Sequence, residues 1–413
     1  MTTLNPSVST PVGTLAALRS PNFRLYFGGQ LISVSGTWMQ SVAQGYLVFH
    51  LTQSELWLGI VACASGLPSL LLSPLGGVLL DRLPRRTILI CTQAAQMLLA
   101  FILAALTFSG VVESWHILLL AFGLGITNAA DAPARQAFVA DLVGSKERLN
   151  SGIALNAMVF NAARVIGPTV AGFALNQWGP AMCFLLNGLS FLGVLGSLLL
   201  IHVERVRPAA EQFAPLRQLW DGIQYAQRHP TIRPLLLLTV TAALLTSNIV
   251  TLLPAFADRV LGSPQAGYAA MGAAIGVGAV VATLLTTRLG KHYGRGRVVL
   301  TMIVLAMVSE LLISRVDVLT LALPLAVVYG FAIILQFVTI NTMIQSEVQA
   351  EFRGRVLSLY TLVWFGISPF GSLLMGWVAE HFGTPDTLLI CAMGGGIVSL
   401  FIYWRNPAVL RLR

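Results

Sequence analysis

Apolar runs of membrane length recur along this chain from residue 23 to residue 404, and most of its arginines fall in the short links between them. A run of about twenty apolar residues wound as a helix crosses a hydrocarbon core of roughly 30 Å. Inside lipid each backbone N–H and C=O must be satisfied within its own segment, so a chain of this kind can only be a bundle of helices. The runs lie near 23–49, 54–80, 87–108, 115–140, 150–176 and 180–202, then 234–257, 264–287, 298–315, 319–345, 355–380 and 385–404. The expected fold is therefore all-α and polytopic, with twelve transmembrane helices. Composition agrees: only 10% of residues are charged, against about 25% in a typical soluble domain.

The net charge of +9 raises the question of nucleic acid, but the basic residues sit in the links rather than on one extended face. That placement reads as membrane orientation and excludes a nucleic-acid partner. An even number of passes puts both termini on one side. Arg82, Arg85, Arg86, Arg228, Arg233, Arg353, Arg355 and Arg405 share that side, whereas Arg259 and Arg315 fall on the other. The positive-inside bias places both termini in the cytoplasm of a cell whose plasma membrane, the inner membrane of a bacterium, the chain spans many times. The polar stretch up to Ala16 lacks the charged and apolar regions of a cleaved signal peptide. Cys63, Cys91, Cys183 and Cys391 lie inside apolar runs without ligand spacing, so no metal and no cofactor are expected.

The two halves of the chain resemble each other. Arg19-Ser20-Pro21-Asn22-Phe23-Arg24 leads into the first run and Arg228-His229-Pro230-Thr231-Ile232-Arg233 into the seventh; Gly172 to Gly179 closes the fifth and Gly376 to Gly383 the eleventh. The expected organisation is a tail (1–22), a six-helix bundle (23–202), a linker (203–233), a second six-helix bundle (234–404) and a short tail (405–413). Within the linker, Leu216, Leu219 and Ile223 have helical spacing. That stretch is either an amphipathic helix on the membrane surface or a plain connector.

One link carries an unusual combination. The second run stops at Asp81, and the order Gly77-x-x-x-Asp81-Arg82-x-x-Arg85-Arg86 follows before the third begins. A positive-inside link accounts for the arginines but not for Asp81 or Gly77. This order resembles the loop signature of the major facilitator superfamily, between its second and third helices. The resemblance implies two parallel-repeat six-helix bundles with a substrate site between them near mid-membrane. It also implies a conformational switch made by Gly77, Asp81, Arg82, Arg85 and Arg86, with Arg355 facing Asp81 in one state and Asp141 paired with Arg85 or Arg86. In the fifth helix Arg164-Val165-Ile166-Gly167-Pro168-Thr169-Val170-Ala171-Gly172 resembles the antiporter motif of proton-coupled exporters, with Ala171 where a glycine is usual. Its Pro168 reads as a hinge, or as an ordinary kink. Residues 128–139, 341–346 and 353–358, with 36–40, resemble the branch of enterobactin-exporter-like and macrolide-efflux-like proteins.

Charges inside the apolar runs are few: Asp131, Arg135, Arg164 and Glu310. Each costs roughly 2.5–3.5 kcal/mol at a helix centre, so each is a candidate for function. Asp131 and Arg135 share a helix face, although Arg135 is near enough to the helix end to snorkel. Arg164 is deeper, and it either has its own role or neutralises Asp131. Glu310, five residues before Arg315, reads better as structural. Proton coupling is expected at Asp131, with Arg135 and Glu310 as the further candidates. By analogy with the fold, the first, fourth, seventh and tenth helices line the cavity with Gln30, Trp38, Gln40, Asn128, Asn248, Gln336 and Asn341. Phosphate-cradling GxxxxGK[ST] and metal-binding HExxH are both absent, so neither ATP nor enzyme chemistry is expected. The expectation is a secondary transporter exporting a small amphiphilic compound against protons. A nutrient importer of the same fold and a non-transporting membrane sensor or assembly subunit are the alternatives.

Overall fold

The structure, a computed structural model, describes residues 15–143, 146–201 and 215–412, and these are helices joined by short turns. Among the described residues, ten stretches are long and apolar enough to cross a membrane. One of them, within Lys146–Leu200, is two passes in a single run, because Gly179 at φ 77° and ψ 179° breaks the helix. Only glycine adopts that conformation without strain. The first helix, Pro21–Thr52, is long enough but less apolar, and it completes the expected twelve passes.

The first half is Pro21–Thr52, Glu55–Arg82, Arg85–Phe108, Ser114–Val143 and the pair within Lys146–Leu200, called here the first to sixth helices. The seventh is Ile232–Arg259. Ala266–Tyr293, Arg295–Ile313, Leu319–Glu347, Arg353–Phe382 and Thr384–Arg405 are the eighth to twelfth. The first helix packs on the fifth and sixth, the second on the fourth, and the third on the fourth and sixth. The second half repeats the pattern: seventh on eleventh and twelfth, eighth on tenth, ninth on tenth and twelfth. The glycine break recurs as well, since Gly383, at φ 81° and ψ 159°, separates the eleventh helix from the twelfth. This is the major facilitator fold read from the sequence repeat.

Small residues set how closely helices approach. A Cβ on Gly29 would meet the Gly193 carbonyl oxygen at 2.7 Å, and one on Gly36 would overlap Asn187 and Ser190, so the first helix lies directly on the sixth. Of the linker, residues 202–214 are outside the described set, and Pro215–Arg228 is a helix. Its Ile223 and Ala226 face the core of the second half, and Tyr225 stacks on Phe352 with ring centroids 4.4 Å apart. The helix docks on the second half.

The seventh helix differs from its sequence pattern. Its apolar run is continuous, yet the helix widens to a π turn at Ala242–Thr246, stops, and restarts at Ile249. Asn248 fills the break: its Nδ2 donates to the Ala243 carbonyl at 2.6 Å and its Oδ1 accepts from Ser368 at 2.7 Å. The Tyr329 hydroxyl donates to the freed Thr246 carbonyl. Partners from the tenth and eleventh helices thus satisfy backbone that would otherwise be orphaned in lipid.

Candidate translocation site and its gates

Two seams join the halves. In the first, the fifth and eighth helices run antiparallel. Gly172 lies against Ala269, a Cβ on Gly272 would touch Pro168 at 3.5 Å, and a Cβ on Gly276 would meet the Arg164 carbonyl oxygen at 2.7 Å. The rungs are about one turn apart. In the second seam the second and eleventh helices do the same: Gly59 against Ser372 and Gly376, Gly66 against Pro369, and Gly366 against Leu70. A proline faces a glycine in each seam, Pro168 on Gly272 and Pro369 on Gly66, as two copies of one arrangement. Gly167 faces the other way, onto Ser35 and Trp38 of the first helix. The motif residues Gly167, Pro168 and Gly172 therefore pack the fifth helix on two neighbours at once.

Both seams occupy the half of the membrane away from the chain termini, called here the far side. Polar contacts close its surface. Arg259 ends the first stretch of the second half and reaches Glu55, at the start of the second helix, with Nη1 2.5 Å from Oε1. Thr384 donates to the same oxygen at 3.2 Å, and Arg259 Nη2 donates to the Gln53 carbonyl at 2.5 Å. Glu380, from the eleventh helix, accepts from Ser54 Oγ at 2.8 Å and from the Leu56 N–H at 3.1 Å. It thereby caps the second helix from across the interface, where a carboxylate also suits the helix dipole. Sequence reasoning missed Glu55 and Glu380 because acids at helix ends are common; only their pairing across the halves marks them.

Among the described residues, every hydrogen bond and ion pair between the two halves lies on this far side. On the terminal side the pairs among the described residues are within one half. Arg85 Nη1 is 2.6 Å from Asp141 Oδ1. Arg86 donates to the Leu198 carbonyl at 2.6 Å and the Leu199 carbonyl at 3.0 Å, closing the end of the sixth helix. Arg355 pairs with Asp221 of the linker helix at 3.3 Å. Gly77, Asp81 and Arg82 lie on the part of the second helix whose side chains are outside the described set.

The intramembrane charges fall into three situations. Asp131 is fully buried: Oδ1 accepts from Thr92 at 2.9 Å and Gln93 at 2.8 Å, and Oδ2 is ion-paired with Arg135. Asp131 is enclosed between the third and fourth helices. Arg135 covers it, with its own guanidinium 5.2 Å from the Phe160 ring centroid. Arg164 makes no pair with Asp131. Its guanidinium lies over Trp38, 5.2 Å from the ring centroid. Glu310 is also fully buried, and neither oxygen has a hydrogen-bond partner. Arg315, expected beside it, pairs with Asp386 instead.

Four of the expected cavity residues are packed away. Gln30 and Gln336 are buried, Gln40 accepts from Asn187 of the sixth helix at 2.7 Å, and Asn248 fills the helix break. Trp38, Asn128 and Asn341 remain partly exposed. Asn128 accepts from Gln96 at 3.1 Å and Asn341 from Gln345 at 2.5 Å. Helical spacing marks a polar residue without saying whether its face meets a cavity or a neighbour.

Residues 12–408 match the family described as transmembrane secretion effector. The chain belongs to that family, within the major facilitator superfamily. The Staphyloferrin A transporter of Staphylococcus aureus is 24% identical, covering 93% of this chain and 96% of the relative. The Multidrug efflux pump Tap of Mycolicibacterium fortuitum is 24% identical over the same shares. The crystal structure of the nucleoside transporter NupG superposes with a TM-score of 0.75 at 14% identity, covering 95% of this chain and 100% of that one. That likeness is one of fold. The secretion effector family thus makes this chain a multi-pass membrane transporter and not an enzyme, as the resemblance to the efflux branch implied.

Proposed function

We propose that this protein exports a small amphiphilic organic compound across the bacterial plasma membrane by alternating access, in exchange for protons. The observation that carries this reading is the one-sided closure of the interface. The seams and the Glu55–Arg259 and Glu380 contacts close the far side, while no described polar bridge spans the terminal side. Such a molecule is held with its interior turned to the terminal face. The arginine asymmetry supports assigning that face to the cytoplasm, so the compound enters from inside the cell. Efflux relatives support the direction.

In this reading residues 23–202 and 234–404 move as two bodies about the seams, with Pro168 and Pro369 as pivots. The loop of Gly77, Asp81, Arg82, Arg85 and Arg86, with Asp141, sets the balance between states, and Arg355 leaves Asp221 to take up its place opposite Asp81. Asp131 carries the proton. In the far-closed state it is held by Arg135, and it is released when the fourth helix shifts in the opposite state. Protons and the substrate are the partners; ATP takes no part. Efflux of a substrate from proteoliposomes under an imposed proton gradient tests the proposal, together with accumulation in a deletion strain. A deletion strain that accumulates less of the compound makes the protein an importer. Orientation is read separately: in intact cells an impermeant thiol reagent labels a cysteine placed at Ser114 and spares one at Gln224.

A further inference from the structure

We infer that Arg164 is the residue that recognises the transported compound, and that the compound carries a carboxylate or similar oxyanion beside an apolar, aromatic-matching body. The inference rests on the transporter reading above and deepens it by naming the substrate class.

Arg164 is the last rung of the fifth–eighth helix seam on the terminal side. Gly172 meets Ala269, Pro168 meets Gly272, and the Arg164 backbone meets Gly276, each a turn nearer the terminal face. It lies near the middle of its helix, where the closed far half of the interface ends. A unit charge at this depth is costly and is normally paired. Arg164 has no hydrogen bond and no ion pair among the described residues, and its Nε is buried without a partner. The Trp38 face below it is a weaker partner and does not replace a counter-charge.

The two intramembrane carboxylates are unavailable to it. Asp131 is saturated by Thr92, Gln93 and Arg135. Glu310 is sealed in the other half beside Tyr329 and Cys391. Both are fully buried, whereas Arg164 is partly exposed. Arg135 is partly exposed too but is already paired with Asp131, so Arg164 is the partly exposed intramembrane charge without a counter-ion. A guanidinium offers parallel pairs of N–H donors, the geometry that a carboxylate accepts.

The repeat supplies the second half of the argument. Arg164 stands four residues before Pro168; four residues before Pro369, at the matching place in the eleventh helix, stands Phe365. Phe365 is 62% exposed and continues an aromatic cluster with Phe337 and Trp364, whose centroids are 4.6 Å apart. One body of the transporter thus offers a cation on an indole, and the other offers aromatic rings.

Two xanthene dyes test the inference because they share a ring system and differ in charge: carboxyfluorescein, an anion, and rhodamine 6G, a cation. Binding to the purified full-length protein is read by fluorescence polarisation in the wild type, Arg164→Gln and Arg164→Lys, each checked for a monodisperse folded state. The wild type is expected to bind carboxyfluorescein at least tenfold more tightly than rhodamine 6G. Arg164→Gln should lose that tenfold preference and leave rhodamine 6G binding equal or stronger. Arg164→Lys should recover part of it, and it serves alone if the glutamine variant does not fold. A wild type that fails to bind the anion, or binds both dyes alike, overturns the inference. So does an anion affinity unchanged in the variants, or a parallel loss of both dyes. Failure of the export reading would appear differently, as anion binding that persists without gradient-driven efflux from proteoliposomes.

Discussion

Asp131 and Arg164 show how differently two charges can be carried in the same bundle. Asp131 is neutralised within its own half and held by two further donors. Removing its partner leaves a buried carboxylate without a counter-charge, so Arg135→Ala should lower stability by about 3–5 kcal/mol. Thermal melting of the purified protein would show this, and the double variant Asp131→Asn/Arg135→Gln should recover most of the loss. Asp131→Asn alone keeps an acceptor for Thr92 and Gln93 and should fold. If Asp131 carries the proton, that variant retains substrate binding but loses the acceleration of efflux by a pH jump. Full gradient-driven efflux in the variant would leave Asp131 a structural partner of Arg135 and move coupling elsewhere. The sequence singled out these residues by rarity alone, because a charge in an apolar run is visible in any reading. It could not show which charge is satisfied, since Thr92 and Gln93 come from a different helix.

At the scale of helices, the seams and the break in the seventh helix were unequally legible. Gly167, Pro168 and Gly172 stand out because proline and glycine in a membrane helix have direct backbone consequences. The break at 242–248 has no such signal. Residues 242–248 contain neither, Pro254 lying six residues beyond, and at the interruption Asn248 and Tyr329 bond the carbonyls that the helix leaves free. The far-side contacts were equally silent. They give a prediction at this scale: Arg259→Ala removes the pair to Glu55 and the bond to the Gln53 carbonyl, and so favours opening of the far face. A cysteine at Ala269, nearly enclosed in the seam, should then react several-fold faster with an impermeant maleimide than in the parent cysteine-free protein. An unchanged rate would mean that the apolar rungs alone hold the face shut.

For the whole molecule, the repeat read from short sequence matches corresponds to a repeat of contacts. Gly172 and Gly376, aligned by sequence, each lie in a seam, against Ala269 and Gly59. Their equivalence makes rigid-body motion testable. A Cβ on Gly172 would stand 2.8 Å from the Ala269 Cβ, and a small relaxation brings that into the range of about 3.5–4.5 Å for a disulfide. Gly172→Cys with Ala269→Cys, in a background without the four native cysteines, should cross-link on oxidation, stop transport and regain it on reduction. The far-side cap has a separate consequence. Because Glu380 caps a helix belonging to the other half, each opening of the far face strips the second helix of its end group. Losing a cap costs about 0.5–2 kcal/mol, and about 1.4 kcal/mol leaves roughly one empty copy in ten open to the far side. Compound on the far side then binds with an apparent affinity about tenfold weaker than the receptive state alone would give. The cap thus gives the two faces unequal apparent affinities, while the direction of net transport is set by the gradients.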